Sequence, residues 1–382
     1  MTGHGESPYS CRVILDQQIY KVKLSYMTPN TVLITGASGF VGAHILKETL
    51  EQGYNAVVLA RGSKAPYIKN SPASAKYGDR LRVIEVDDIF KQKLNKEVFR
   101  GVDALIHVAT PFPGSVPTEE IISITVSGTL NIIEQAEEAG IKNIIFTSTL
   151  ATIRNPEGNY KNDAWNPITK EQALASNDFM TIYSASKKYA ELAIWEWAEK
   201  HPHVEITVIN PPLIAGPYHH DFYPGPENPT DQPPSNKLIL GFILPNGTFS
   251  PHQIYVDVRD VAKAHVNAIR INILSTKSTS VIGRKRVLFP SPHEMEYRKV
   301  LEMIKEKRPE LKERLNKGEY PKNVTLKRLP CDSERIEEVL GMKVEDFHTL
   351  EKTFFDLFDN YLECEEKWKL EGIEIPTSLR VY

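Results

Sequence analysis

The chain has 382 residues, 41% of them hydrophobic, with 46 Lys and Arg against 49 Asp and Glu for a formal charge of −3. That balance lacks the basic excess with which a nucleic-acid binder neutralises phosphates, while the apolar fraction suits a chain that buries a full core. Cys11, Cys331 and Cys364 lie far apart with no CxxC pair, so neither a disulfide framework nor a metal site is expected, and a reducing, cytoplasmic setting fits.

The first 30 residues are polar, with a short edge strand expected only at Ile19 to Leu24 and an alternative start at Met27. No apolar run approaches the roughly 20 residues that span a bilayer, and no signal-like stretch opens the chain. A small molecule is therefore the expected partner, rather than nucleic acid or a membrane, with the protein a monomer or homodimer. From Thr31 onward, apolar runs of strand length alternate with longer segments of helical period. Strands are expected at Thr31 to Thr35, Asn55 to Ala60, Leu81 to Val86, Val102 to Val108, Asn143 to Ser148 and Glu205 to Asn210. Helices are expected at Phe40 to Glu51, Glu119 to Ala139 and Thr181 to Lys200. This alternation implies an α/β fold, a doubly wound parallel sheet of Rossmann type.

Gly216 to Pro234 is too rich in Pro, Gly, Asp and His for regular structure and reads as a long loop. Ile254 to Arg270 returns to strand then helix, and Met295 to Glu313 and Asp332 to Trp368 read as charged amphipathic helices. The expected division is an extension over 1–30, a dinucleotide-binding domain over 31–212 and a substrate-lobe loop over 213–253. The chain then returns to the first domain over 254–290 and ends in a helical substrate lobe over 291–382.

Residues 35 to 42 read TGASGFVG, placing Gly36, Gly39 and Gly42 between the first strand and its helix. Glycines there permit a tight turn, close backbone approach to a pyrophosphate and close packing of helix on strand, with the anion at the helix N-terminus. At the end of the second strand, where an acid would hold ribose hydroxyls, the chain instead has Arg61 and Lys64. A guanidinium fork and an ammonium suit a 2′-phosphate, so NADP(H) is the expected cofactor. Tyr183 and Lys187 stand at i and i+4 of a helical segment and share one face, where the ammonium favours the ionised phenol. The fifth strand ends in FTST at Phe146 to Thr149, placing hydroxyls at the edge where such sheets present functional groups.

Taken together, TGASGFVG, HVATP at His107 to Pro111, FTST, YSASKKYAE at Tyr183 to Glu191, INPPLIAGP at Ile209 to Pro217 and YVDVRDVAKAH at Tyr255 to His265 resemble a known family. It is the extended short-chain dehydrogenase/reductases, in the branch of dihydroflavonol reductase, cinnamoyl-CoA reductase and the fungal aldehyde, methylglyoxal and ketone reductases. The resemblance implies an NADPH-dependent carbonyl reductase in which Tyr183 is the general acid and Lys187 tunes it and holds the nicotinamide ribose. The family's catalytic serine falls at Thr149, a departure that keeps the hydroxyl, with Ser148 as a substitute. The resemblance further implies cofactor contacts from Ser38, Phe40 and Val41 in the cradle, Asp88 and Ile89 along adenine, and Ala109, Thr110 and Pro111 past the pyrophosphate. It also implies contacts from Thr147 and Ser148, Pro211 and Pro212 beside the nicotinamide, and Ser235. Phe112, Tyr218, Phe222 and Tyr223 are candidate pocket walls; His219 and His220 adjoin in a loop without a third ligand at metal spacing.

Two other readings share the scaffold. A nucleotide-sugar or steroid-type epimerase or dehydrogenase of this fold would retain NAD, which Arg61 in place of an acid argues against. A catalytically silent NADP redox sensor would tend to lose the Tyr-Lys pair, which this chain keeps.

Overall fold

Near-continuous apolar runs form a parallel sheet here, because only a strand covered by helices on both faces can bury every side chain it carries. The computed structural model describes residues 31–380 except 63, 112, 115, 159, 224, 275–284 and 322–327. Among these, β1 (Thr31–Thr35), β2 (Asn55–Ala60), β3 (Leu81–Glu85), β4 (Ala104–His107), β5 (Asn143–Thr147) and β6 (Glu205–Asn210) run parallel. A two-stranded ribbon pairs β7 (Ile214–Ala215) with β8 (Val256–Asp257), and β9 (Arg286–Leu288) completes the main sheet in the order β3-β2-β1-β4-β5-β6-β9. The order reverses between β1 and β4, where an open α/β sheet forms a crevice at the carboxyl ends of its strands.

The first helices are α1 (Phe40–Glu51), α2 (Lys64–Asn70), α3 (Pro72–Tyr77), α4 (Thr118–Glu138), α5 (Lys170–Leu174) and α6 (Phe179–Lys200). They are followed by α7 (Pro234–Leu240), α8 (Val258–Leu274), α9 (Tyr297–Lys307), α10 (Ser333–Leu340) and α11 (Leu350–Leu370). Side chains alternate across the sheet as strand geometry requires. Val32 and Ile34 join the core made with α1, α8 and α10, whereas Leu33 joins the core made with α4 and α6. A third core ties Phe242 and Phe249 to Leu301 of α9 and to Phe354, Phe358 and Trp368 of α11.

Strand and helix placements from Thr31 to Asn210 follow the sequence pattern, but several later expectations need correction. The strand near Ile254 shrinks to β8 and pairs only with β7, so the chain rejoins the sheet through α8 beneath it and then β9, a three-residue strand too short to announce itself. Asp332 to Trp368 is broken between α10 and α11, because Gly341 adopts φ +59°, the left-handed cap that ends a helix. Met295 to Glu313 likewise stops being α-helical at Lys307, two residues before Pro309. Helices α2, α3 and α5 had no expected counterpart, and α7 forms within the stretch expected as a loop over 213–253, opening at Pro234, where a fixed φ suits the first turn of a helix. The strand at Ile19 to Leu24, Cys11 and Phe112 lie outside the described residues.

Candidate active site

Thr35, the last residue of β1, registers with Leu59 of β2 and His107 of β4, so these strand ends share one rim. Thr35 Oγ1 accepts from the amides of Val108 and Ala109, each at 3.2 Å, and lies 2.7 Å from His107 Nδ1, binding the two strand exits together. That closeness leaves no room at Gly36, whose φ is +75° and where a Cβ would lie 2.8 Å from the Ala109 nitrogen. At Gly42 a Cβ would lie 2.0 Å from the Gly36 carbonyl oxygen. Gly39 is different: its Cβ would meet nothing nearer than 3.4 Å within the protein. Its absence keeps the approach to the first amides of α1 open, and those amides have no intrahelical acceptor. The turn thus fits a bound pyrophosphate, and a cleft of about 610 Å³ extends from it in both directions.

Toward β2, the cleft is lined by Leu59, Ala60, Arg61 and Lys64, with both bases exposed at the lip. Ile89 lines it as expected, together with Phe90, whose ring packs against Gly128 of α4. Asp88 does not line the cleft; its Oδ1 accepts from the Phe90 amide at 2.8 Å, so it shapes the turn that presents that ring. Ser38, Phe40, Val41, Ala109, Thr110, Thr147, Ser148, Thr149, Pro211, Pro212 and Ser235 all face the cleft, whereas Pro111 is buried outside it. Ser235 is held there by its neighbour Asn236, whose side chain bonds Gly216 in both directions, donating at 2.9 Å and accepting at 3.2 Å. Of the described aromatic candidates only Tyr223 lines the wall. Tyr218 and Phe222 are buried, Tyr218 lying edge-on to Phe40 and Phe222 stacked on His219.

Helix α6 begins at the Asp178 cap, whose carboxylate accepts from the Thr181 amide at 2.7 Å, and its first turns pass along the cleft. Tyr183 and Lys187 both line it, with Phe179 stacked on Tyr183 at 6.1 Å. Lys187 is 2% exposed, and its Nζ donates to the Thr147 carbonyl at 3.0 Å and stands 4.4 Å from the Phe146 ring centre. Burial lowers its pKa to about 8, against a smaller opposing pull from Glu191.

The three hydroxyls at the end of β5 have separate fates. Thr147 lies 2.8 Å from His265 Nε2, while His265 Nδ1 lies 2.7 Å from the Val261 carbonyl; the ring therefore donates to Val261 and accepts from Thr147. Burial holds His265 near 4, which keeps that neutral tautomer. Ser148 donates to Glu191, a fully buried carboxylate that also takes Thr152 at 2.8 Å, Asn210 at 3.0 Å and Arg286 Nε at 2.5 Å. Burial alone would raise the Glu191 carboxyl, but the charge and hydrogen bond of Arg286 hold it below its ordinary value. All three residues line the cleft, but Thr149 is the one whose hydroxyl has no side-chain partner among the described residues; its Oγ1 accepts from the Ala151 amide at 3.2 Å, and its own proton remains available to donate.

Sequence reasoning did not single out Phe90, Arg154, Phe179, Met180, Gln232 and His252, all of which line the cleft. Glu191 had a signal in the YSASKKYAE run, four residues after Lys187, but nothing local marked Arg286 as its partner.

The sequence profile of the NAD dependent epimerase/dehydratase family matches residues 32–280. A putative NADPH-dependent methylglyoxal reductase of Candida albicans is 30% identical over 83% of this chain and 95% of its own length. Aldehyde reductase 2 of Sporidiobolus salmonicolor is 28% identical over 68% of this chain and 81% of its own. Among solved structures, the yeast methylglyoxal/isovaleraldehyde reductase Gre2 complexed with NADPH superposes with a TM-score of 0.70 at 25% identity, covering 88% of this chain and 99% of that one.

Proposed function

The chain belongs to the NAD dependent epimerase/dehydratase family, an NADP-dependent carbonyl reductase within it, and we propose that Tyr183 is the proton donor of its reaction. The observation that carries this reading is the convergence of Tyr183, Lys187 and Thr149 on one cleft that also opens onto the glycine turn. Gly36, Gly39 and Gly42 would seat the pyrophosphate, Arg61 and Lys64 the 2′-phosphate, and Ile89 and Phe90 the adenine. Bound there, NADPH supplies the hydride that reduces the carbonyl carbon.

Every other step belongs to the chain. The Thr149 hydroxyl and the Tyr183 phenol hold the substrate oxygen, and the phenol passes its proton to that oxygen as charge develops. The ammonium of Lys187, kept in place by the Thr147 carbonyl, favours the phenolate left behind. Glu191 fixes Ser148 and thereby the strand end from which Thr149 projects. The runner-up, an NAD-retaining epimerase on the same scaffold, would want an acid where Arg61 stands.

Absorbance decay of NADPH and, separately, NADH against aldehydes, diketones, oxo esters and aromatic ketones tests the reading. Reduction with NADPH and slow reduction with NADH is expected; equal use of both cofactors would remove the role given to Arg61 and Lys64.

A further inference from the structure

The substrate end of the cleft carries a cation that the reaction does not need. Arg154 follows the Leu150–Thr152 turn, and its amide bonds the Leu150 carbonyl at 2.9 Å, so the turn that sets Thr149 also sets Arg154. Its side chain is half-buried and lines the cleft with Thr149, Ala151, His252 and Ile254. Its Nη1 lies 3.4 Å from His252 Nε2, and among the described residues no carboxylate pairs with it. His252 does not add a second charge, because burial and the neighbouring guanidinium pull its pKa to about 4 and leave the ring neutral. The one carboxylate among the described lining residues is Asp231, which is exposed and accepts from Asn228 at 2.5 Å.

A second observation points the same way. Gln232 also lines the cleft and is only 3% exposed, yet neither its Oε1 nor its Nε2 has a hydrogen-bond partner among the described residues. Buried amides are almost always satisfied, so an idle one in the cleft wall leaves polar capacity beside the cavity that a polar ligand can use.

We propose that Arg154 makes this cleft selective for carbonyl substrates that carry a carboxylate, the guanidinium pairing with the carboxylate while the carbonyl oxygen lies at Thr149 and Tyr183. The inference rests on the carbonyl-reductase reading above. The carboxylate is a recognition group and is unchanged by the reaction. A guanidinium fork matches its two oxygens, and partial burial protects the pair from screening.

The test compares oxo acids having the carboxylate one to three carbons from the carbonyl with their methyl esters, using NADPH. For the best acid, wild-type kcat/KM should exceed that of its ester by about tenfold or more, as a charge-assisted contact implies, and high salt should shrink the gap. Arg154→Gln should lower the acid-to-ester ratio about tenfold, mainly through KM, and Arg154→Lys should keep part of it. NADPH fluorescence titration checks that both variants fold. Calorimetry with the saturated carboxylate of matching length should give binding to wild type that Arg154→Gln loses. Esters reduced as well as acids, or a ratio unchanged in Arg154→Gln, would overturn the selectivity while leaving the reductase reading intact. If no carbonyl compound is reduced, the reading itself fails and calorimetry alone decides: carboxylate binding lost in Arg154→Gln upholds an anion site, and its absence in wild type rejects it.

Discussion

Around the β1–α1 turn the cleft wall comes from one short stretch, Gly36 and Ser38 to Gly42, with the Gly36 backbone packed closely against Ala109. At the other end, the wall under Thr149 is held by side chains, with Glu191 of α6 binding Ser148, Thr152, Asn210 of β6 and Arg286 of β9. The first half requires the absence of a side chain at Gly36 and Gly42. The second requires one buried ion pair to stay complete, since Glu191 and Arg286 are 0% and 1% exposed. A glycine turn can therefore be written in one short stretch of chain, whereas holding the strand end that carries Thr149 draws on residues nearly a hundred positions apart.

Substitutions can break or sharpen this contrast, and the largest effect is expected at Tyr183. Tyr183→Phe keeps the ring stacked on Phe179 and should lower turnover by roughly 10²–10⁴-fold. NADPH binding, followed by fluorescence titration, should persist. Turnover above about a tenth of wild type would reject the phenol as proton donor, given that range.

Next comes the ion pair. Glu191→Gln leaves Arg286 buried without its countercharge, and the denaturant midpoint should report a loss of about 3–5 kcal/mol. A Glu191→Leu, Arg286→Met double variant should recover most of it, because no lone charge remains. A single variant as stable as wild type would mean that the pair does not brace this wall.

At the cofactor lip the bases are exposed, and effects should be smaller and confined to one ligand. Arg61→Ala should raise the KM for NADPH by roughly ten- to a hundredfold, the equivalent of one charge-assisted contact. The KM for NADH should hardly move; a parallel rise in both would place Arg61 somewhere other than the 2′-phosphate.

The smallest effect concerns stability at Lys187. Burial lowers its pKa from 10.5 to about 8, so below pH 8 the folded chain holds a desolvated charge that the unfolded chain hydrates freely. Between about pH 8 and 10.5 the unfolded chain binds a proton that the folded one has released, and wild-type stability rises with pH relative to a variant lacking the group. Lys187→Met should therefore be inactive yet more stable near pH 7, by on the order of 1–3 kcal/mol. Thermal melts of both proteins from pH 7 to 10 should show the gap closing. A variant less stable than wild type at pH 7 would show that the Thr147 contact outweighs desolvation.

Much of this architecture is legible in the chain because its signals are local. TVLIT must be buried on both faces, Gly36 and Gly42 meet a turn that excludes Cβ, and Tyr183 and Lys187 share a helix face by spacing alone. Asp88 matches the family's adenine position, yet it is Phe90 beside Ile89 that lines the cleft, its ring seated at Gly128, while the Asp88 carboxylate accepts from the Phe90 amide. Tyr218 and Phe222 were candidates for the wall on composition, but an aromatic in a loop turns inward when a core is available, and both did.

What the sequence alone determined is the doubly wound sheet, the glycine turn with two bases beside it, and the order of hydroxyl, phenol and ammonium along the chain. Only tertiary structure decided which of the Ser148 and Thr149 hydroxyls is engaged, since the answer depends on a carboxylate 43 positions away that takes the first and not the second. It also decided that Arg154, unremarkable in its own stretch, stands uncompensated beside a neutral histidine from a segment 98 positions distant. Periodicity and glycine spacing act through neighbouring residues and can be read in one dimension, but the pairing of buried polar groups is settled by whichever partners the fold brings within about 3 Å.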